Sequence, residues 1–263
     1  MARAWTTQDA APADTTAPAI RRIGLGDLRA ALARGLDDFL ASPTQLFFLC
    51  VLYPVVGLVA ARAMAGGALL PLLFPLVAGL SLVGPVAAVG LYEISRRREA
   101  GQPASWQNAF DVLRNPAFFS IAAMGVLVMA IFVAWLFAAR AIFESTVGPV
   151  PASIGDLVRI TFGTPEGHRL ALIGNGIGFL FALAVLMLTV VSVPMLLDRN
   201  VSIGTAIRTS IRACLANPVT MAVWGLLVAV LLLLGSLPAF IGLAVVMPLL
   251  GHATWHLYRR VVA

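Results

Sequence analysis

The chain has 263 residues, 60% of them hydrophobic and only 11% charged, with a mean hydropathy of +0.94. A soluble domain of this length cannot bury so much apolar surface, so composition excludes that class and points to a polytopic helical membrane protein. The formal charge of +6 comes entirely from arginine, and its placement between apolar runs explains it as membrane orientation, with no need for a nucleic-acid partner.

Residues 1–20, "MARAWTTQDAAPADTTAPAI", lack the apolar core of a signal peptide and are rich in Ala, Thr, Pro and Asp. Such a segment buries too little to offset its chain entropy, and a disordered tail is expected. The membrane domain then covers 21–263. Leu25, Leu28, Leu32, Leu36 and Phe39 recur at helical spacing and predict a short amphipathic helix on the membrane face, ended by Pro43. Apolar runs at 46–61 and 68–92, joined at Gly66-Gly67, predict the first two spans. The charged exit "GLYEISRRRE" follows. Trp106, Phe110 and Leu113 predict a second interfacial helix before Pro116, and 117–139 a third span. An insertion at about 140–169, with Pro149, Pro151 and Pro165, leads into a fourth span at 170–197, closed by "SVPMLLDRN". Ile203, Ile207, Ile211 and Leu215 predict the third interfacial helix before Pro218. Spans at 219–237 and 239–258 complete the six, and the chain closes on "MPLLGHATWHLYRR". Each span must be a helix, because hydrocarbon offers no partner to free backbone polar groups.

The pattern repeats. Aligning Pro85 on Pro248 sets Tyr92 against Trp255, Glu93 against His256 and Arg96-Arg97 against Arg259-Arg260, with Pro194, Asp198 and Arg199 as a third version. The units 23–97, 105–199 and 202–260 suggest a pseudo-threefold arrangement about an axis normal to the membrane. Most arginines fall before the first span, after the second, after the fourth or at the end, against only Arg62, Arg140, Arg159 and Arg169 on the other side. The positive-inside rule therefore puts both termini in the cytoplasm.

"LSLVGPVAAVGLYEISRRREAGQPASWQNAF", together with "MPLLGHATWHLYRR", resembles the DUF2189 family of predicted integral membrane proteins, from about Arg21 onward. The resemblance implies a bacterial inner-membrane protein of about six spans with no assigned activity, and it carries over no catalytic residues.

No catalytic motif stands out. His252 and His256 share one helical face at i, i+4, the geometry of a two-ligand metal or haem contribution, but no third ligand is apparent, and no metal or cofactor is assigned. Cys50 and Cys214 read as reduced structural thiols, and "GNGIG" at 174–178 as small-residue packing through Gly174 and Gly178. Asp37-Asp38 reads as the solvated side of an interfacial helix. The repeat sets Glu93, Asp198, His252 and His256 near one cytoplasmic mouth, a candidate polar cluster. Arg96, Arg97, Arg98, Arg259 and Arg260 are candidate contacts for anionic lipid. The expected function is a non-enzymatic membrane scaffold or assembly protein, in contact with the bilayer and with a membrane partner or a second copy. The alternative is a small permease using the polar cluster, and an enzyme ranks third.

Overall fold

The computed structural model describes residues 18–42, 70–238 and 240–263. The predicted span 46–61, its Pro43 corner, the Gly66-Gly67 return, Cys50 and most of the 1–20 tail lie outside the described residues. Within them the protein is all-α, with eleven α-helices: α1 Leu25–Ala41, α2 Leu73–Leu80, α3 Gly84–Ala87, α4 Val89–Glu99, α5 Phe118–Thr146, α6 Ile154–Gly163, α7 Pro165–Thr189, α8 Ser192–Asp198, α9 Ile203–Ala216, α10 Pro218–Ser236 and α11 Leu243–Val261. A 3₁₀ helix, Trp106–Arg114, lies between α4 and α5.

Local chemistry sets several helix starts. The Asp27 carboxylate accepts the Gly24 N–H at 2.9 Å ahead of α1. Thr164 Oγ1 accepts the Gly167 N–H at 3.0 Å ahead of α7, where Pro165 occupies the first turn and needs no amide donor. Ser202 caps α9 in the same way through Thr205.

Among the described residues three helices are long and apolar enough to cross a membrane: Phe118–Thr146, Pro165–Asp198 and Pro218–Ser236. They correspond to the predicted spans 117–139, 170–197 and 219–237. The predicted span 68–92 is not one continuous helix over its described part. It passes through 3₁₀ turns at Leu70–Leu72 and Ser81–Val83 and the short α3 before α4 begins, as expected of a run containing Pro75, Gly79, Gly84 and Pro85, where amide donors are missing and the backbone is permissive. The insertion 140–169 is largely helical, with the end of α5, all of α6 and the first turn of α7 inside it.

The last helix departs most from expectation. Predicted as the span 239–258, α11 is enclosed by protein over its second half, with Pro248, Leu250 to Ala253, Trp255 to Tyr258 and Val261 all buried. It runs along α1 and also touches α4, α8 and α10. The approach to α1 is close enough to require glycine: a Cβ on Gly35 would stand 2.6 Å from the Ala253 backbone nitrogen. The main core gathers here around Tyr92, Trp224, Trp255, Leu257 and Tyr258. A smaller cluster of Leu72, Phe132, Trp135 and Ala139 joins α2, α5 and α7. In it Trp135 Nε1 donates to the Pro75 carbonyl at 3.1 Å. Gly178 faces the same indole, whereas Gly174 faces open space. Residues 19–21 are paired with the C-terminal strand of chain, with the Arg21 N–H on the Val261 carbonyl at 2.8 Å and the Ala263 N–H on the Ala19 carbonyl at 3.0 Å.

The three predicted interfacial segments are helical, but their apolar stripes coincide only in part with the faces they bury. In α1 the buried line is Leu28, Ala31, Gly35, Asp38 and Phe39, leaving Leu25, Leu36 and Leu40 outside. In α9 it is Thr205, Ala206, Thr209, Ser210, Ala213 and Cys214, a small-residue face of the kind that lets membrane helices approach closely. Trp106, Phe110 and Leu113 are exposed on the 3₁₀ helix.

The contrast between two glycines of α1 tests the α1–α11 crossing. Gly35→Ala should destabilise the protein by about 1–3 kcal/mol through overpacking, whereas Gly26→Ala, with nothing within 4 Å of a new Cβ, should be neutral or stabilising by up to about 1 kcal/mol through helix propensity. Unfolding of both variants in detergent, followed by circular dichroism, gives the comparison; equal stabilities would contradict the crossing.

Candidate functional site

One carboxylate collects three helices. Asp38, in the last turn of α1, is 6% exposed and faces Ser95 and Arg98 of α4 and His252 and His256 of α11. Its Oδ2 accepts from Ser95 Oγ at 2.6 Å and from His256 Nε2 at 2.8 Å, and its Oδ1 accepts from Arg98 Nε at 2.7 Å. Burial pushes the Asp38 carboxyl up, but the hydrogen bonds from His256, Ser95 and Arg98 outweigh it and hold the group at about 2.

The ionised carboxylate fixes the proton positions around it. Ser95 has one hydroxyl proton and gives it to Asp38, so its 2.8 Å contact with His252 must be donated by the Nδ1–H of that ring. His256 presents its Nε2–H to Asp38 directly. What remains is His252 Nε2 and His256 Nδ1, two buried ring nitrogens without a hydrogen-bond partner among the described residues. The serine is fully buried, donates to the carboxylate and accepts from the His252 ring, so the trio lacks the order of a nucleophilic triad, in which the imidazole takes the serine's proton. Among the described residues no group of three or more His, Cys, Asp or Glu side chains is arranged to hold a metal ion.

Of the predicted mouth cluster, the structure brings His252 and His256 together, on Asp38, and places the other two elsewhere. Glu93 is buried on α4 and takes a bidentate contact from Arg96, 2.8 Å for each bond, and a third from Arg97 at 2.9 Å. Arg97 continues to Asp111 at 2.8 Å, tying α4 to the 3₁₀ helix. Asp198, at the end of α8, accepts from Tyr258 Oη at 2.6 Å and Arg259 Nη1 at 3.3 Å. Glu99 accepts from Trp255 Nε1 at 3.0 Å and from Arg259 Nε at 3.1 Å. Arg260 reaches Asp27 at 2.7 Å. Each exit arginine predicted to meet lipid, Arg96, Arg97, Arg98, Arg259 and Arg260, thus has a carboxylate of the protein itself as partner.

Sequence reading missed Ser95, took Asp38 as solvated and assigned Arg98 to lipid. The expected solvated pair Asp37-Asp38 is split by the helix, with Asp37 exposed and Asp38 inside. The signal was register: Leu28, Ala31, Gly35 and Asp38 follow one i, i+3, i+7, i+10 line. Cys214 is a buried free thiol on α9, and burial pushes it up to about 11, which makes it unreactive.

The Asp38 hub makes a signed prediction. Its pKa is lowered on folding from 3.8 to about 2, so its contribution to stability is complete above the unfolded value and is lost as pH falls through the folded one. Asp38→Asn should cost about 1–3 kcal/mol near pH 7, since it removes the acceptor shared by Ser95, His256 and the partly exposed Arg98, and the gap to the parent should narrow as the pH approaches 2. Asp37→Asn should stay within about 0.5 kcal/mol at either pH. Ser95→Ala, which strands the His252 donor, should cost about 1–3 kcal/mol. Urea unfolding across the pH range reads all three, and a pH-independent gap for Asp38→Asn would contradict the assignment.

Comparison with known proteins adds a family. No curated protein and no solved structure matches the chain. Residues 73–198 match the family described as "Predicted integral membrane protein (DUF2189)", a narrower extent than the resemblance from Arg21 onward, and one that includes Glu93, Ser95, Arg98 and Asp198 but neither Asp38 nor the histidines of α11. Over residues 73–198 the chain is therefore similar to DUF2189, a family of predicted integral membrane proteins of unknown function.

Proposed function

We propose that the protein is a non-enzymatic scaffold or assembly protein of the bacterial inner membrane, built from three related units and crossing the bilayer six times with both termini in the cytoplasm. The observation that carries this reading is how its carboxylates are used. Asp38, Glu99 and Asp198 each join helices distant in sequence, so the ionisable groups hold the fold together. The surfaces left for contact are apolar: Phe119 and Phe137 on α5, Phe179 on α7, and Leu226 and Leu233 on α10 are all exposed. Such faces meet lipid or the helices of another membrane protein. The sixfold crossing combines the three long apolar helices with the runs 46–61, 68–92 and 239–258, and the arginine distribution supports the orientation.

Reporter fusions test the topology. Fusions after Ala263 and at Gln102 should report the cytoplasm and a fusion at Pro151 the opposite side; a cytoplasmic signal at Pro151 would remove the six-span arrangement. Copurification from native membranes in mild detergent should recover a stoichiometric membrane partner or a second copy.

A permease is the second reading, favoured by the nitrogens of His252 and His256 that have no partner among the described residues. The two readings separate in sealed vesicles carrying a pH gradient. A scaffold leaves the gradient decaying as in empty vesicles. A proton-coupled permease dissipates it, and His252→Gln or His256→Gln abolishes that flux.

A further inference from the structure

The arginines without a carboxylate partner among the described residues lie elsewhere, and three of them, Arg21, Arg22 and Arg212, flank the turn between α9 and α10. Asn217, between α9 and α10, grips the strand of chain before α1. Its Oδ1 accepts the Ile23 N–H at 2.8 Å and its Nδ2 donates to the Arg21 carbonyl at 3.1 Å. Thr220 Oγ1, one turn into α10, donates to the Ile23 carbonyl at 3.0 Å. These bonds fix Arg21 and Arg22 beside the first turn of α10, at one end of a helix long and apolar enough to span the membrane. Arg212 is five residues before Asn217, about 7.5 Å of helix rise. All three side chains are exposed, and none has a hydrogen bond or ion pair among the described residues.

The apolar surface continues from the same corner. Leu25, Leu215 and Val219 are exposed around it. Along α10 the exposed residues Val219, Val223, Leu226, Val230 and Leu233 follow i, i+4, i+7, i+11, i+14, a single stripe down the helix, while Thr220, Met221 and Trp224 are buried on the opposite side. Cationic groups at the head of a lipid-facing stripe match the two ends of one kind of molecule.

We propose that this corner binds an anionic phospholipid, with its phosphodiester on Arg21, Arg22 and Arg212 and an acyl chain along the Val219-to-Leu233 stripe of α10. Guanidinium groups match phosphate oxygens in planar, bidentate geometry. The exit arginines, held by Glu93, Asp38, Asp111, Glu99, Asp198 and Asp27, serve the fold. The proposal requires α10 to span the bilayer and is independent of whether the protein is a scaffold or a permease.

The full chain in nanodiscs of phosphatidylcholine mixed with phosphatidylglycerol provides the test, with the retained lipid identified by native mass spectrometry. The parent should retain phosphatidylglycerol preferentially. Arg21→Gln, Arg22→Gln and Arg212→Gln should each lower that preference roughly five-fold, the effect of about one surface arginine, and the combined variant should lose it. The three Arg→Lys replacements together should keep most of it. Arg159→Gln, on α6, should change nothing. If the combined variant does not fold, the single variants carry the test, since each alters an exposed side chain. A parent without preference, or a combined variant that retains it, overturns the proposal. So does inorganic phosphate or glycerol 3-phosphate that stabilises the parent as much as the phospholipid does, because the acyl stripe would then contribute nothing.

Discussion

A buried carboxylate cannot remain ionised without donors, and Asp38 satisfies that requirement with groups from two other helices. Its oxygens accept hydrogen bonds from Ser95, Arg98 and His256, and Ser95 in turn accepts one from His252. Removing any donor exposes a neighbour to the same deficit, so the network acts as a unit. The hub therefore positions α1 against α4 and α11, and the close crossing at Gly35 and Ala253 depends on that alignment. Apolar packing alone would permit α1 to slide along α11. A carboxylate with fixed partners sets the register, although the stability gained over a well-packed apolar alternative is small.

From this hub the molecule divides into two kinds of surface. Around α1, α4, α8 and α11, acids and bases pair across helices and the aromatic core of Trp224, Trp255 and Tyr258 fills the space between them. Along α5, α7 and α10, large apolar side chains point outward, as they must where the surrounding solvent is hydrocarbon. The short helices occupy the boundary. Each buries one line of residues against the protein and leaves other leucines, tryptophan or arginines outside, a distribution suited to a helix at the membrane boundary.

Hydropathy made the helices of the lipid-facing part legible in the sequence, because a run of about twenty apolar residues permits one structure in a bilayer. The polar part was less legible. The broken path from Leu70 to Glu99 followed from prolines and glycines whose count was visible but whose combined effect was not. The repeat set Glu93 beside His256 by position, yet arginines three and four residues further along α4 took Glu93 first, since a local ion pair needs no chain closure. Asp38 was misassigned because two adjacent aspartates resemble a solvated face. Only helical register separates them by about 100°, and only the tertiary structure supplies the donors that make burial tolerable. The histidines were placed correctly on one face, but their partners, 157 and 218 residues away in sequence, could not be inferred from spacing.

The 218-residue separation of Asp38 from His256 also sets an order in time. At roughly 5–20 residues per second of synthesis, about 10–40 s pass between the appearance of the carboxylate and that of its last donor. Ser95 and Arg98 arrive after only 57 and 60 residues, soon enough to hold α1 near α4 while the long apolar helices α5, α7 and α10 are still being made. During that interval the buried stripe of α1 has no cover, and its aspartate remains hydrated on the open side. The nascent chain thus carries an unfinished polar joint past every long apolar helix, and α11 closes it last.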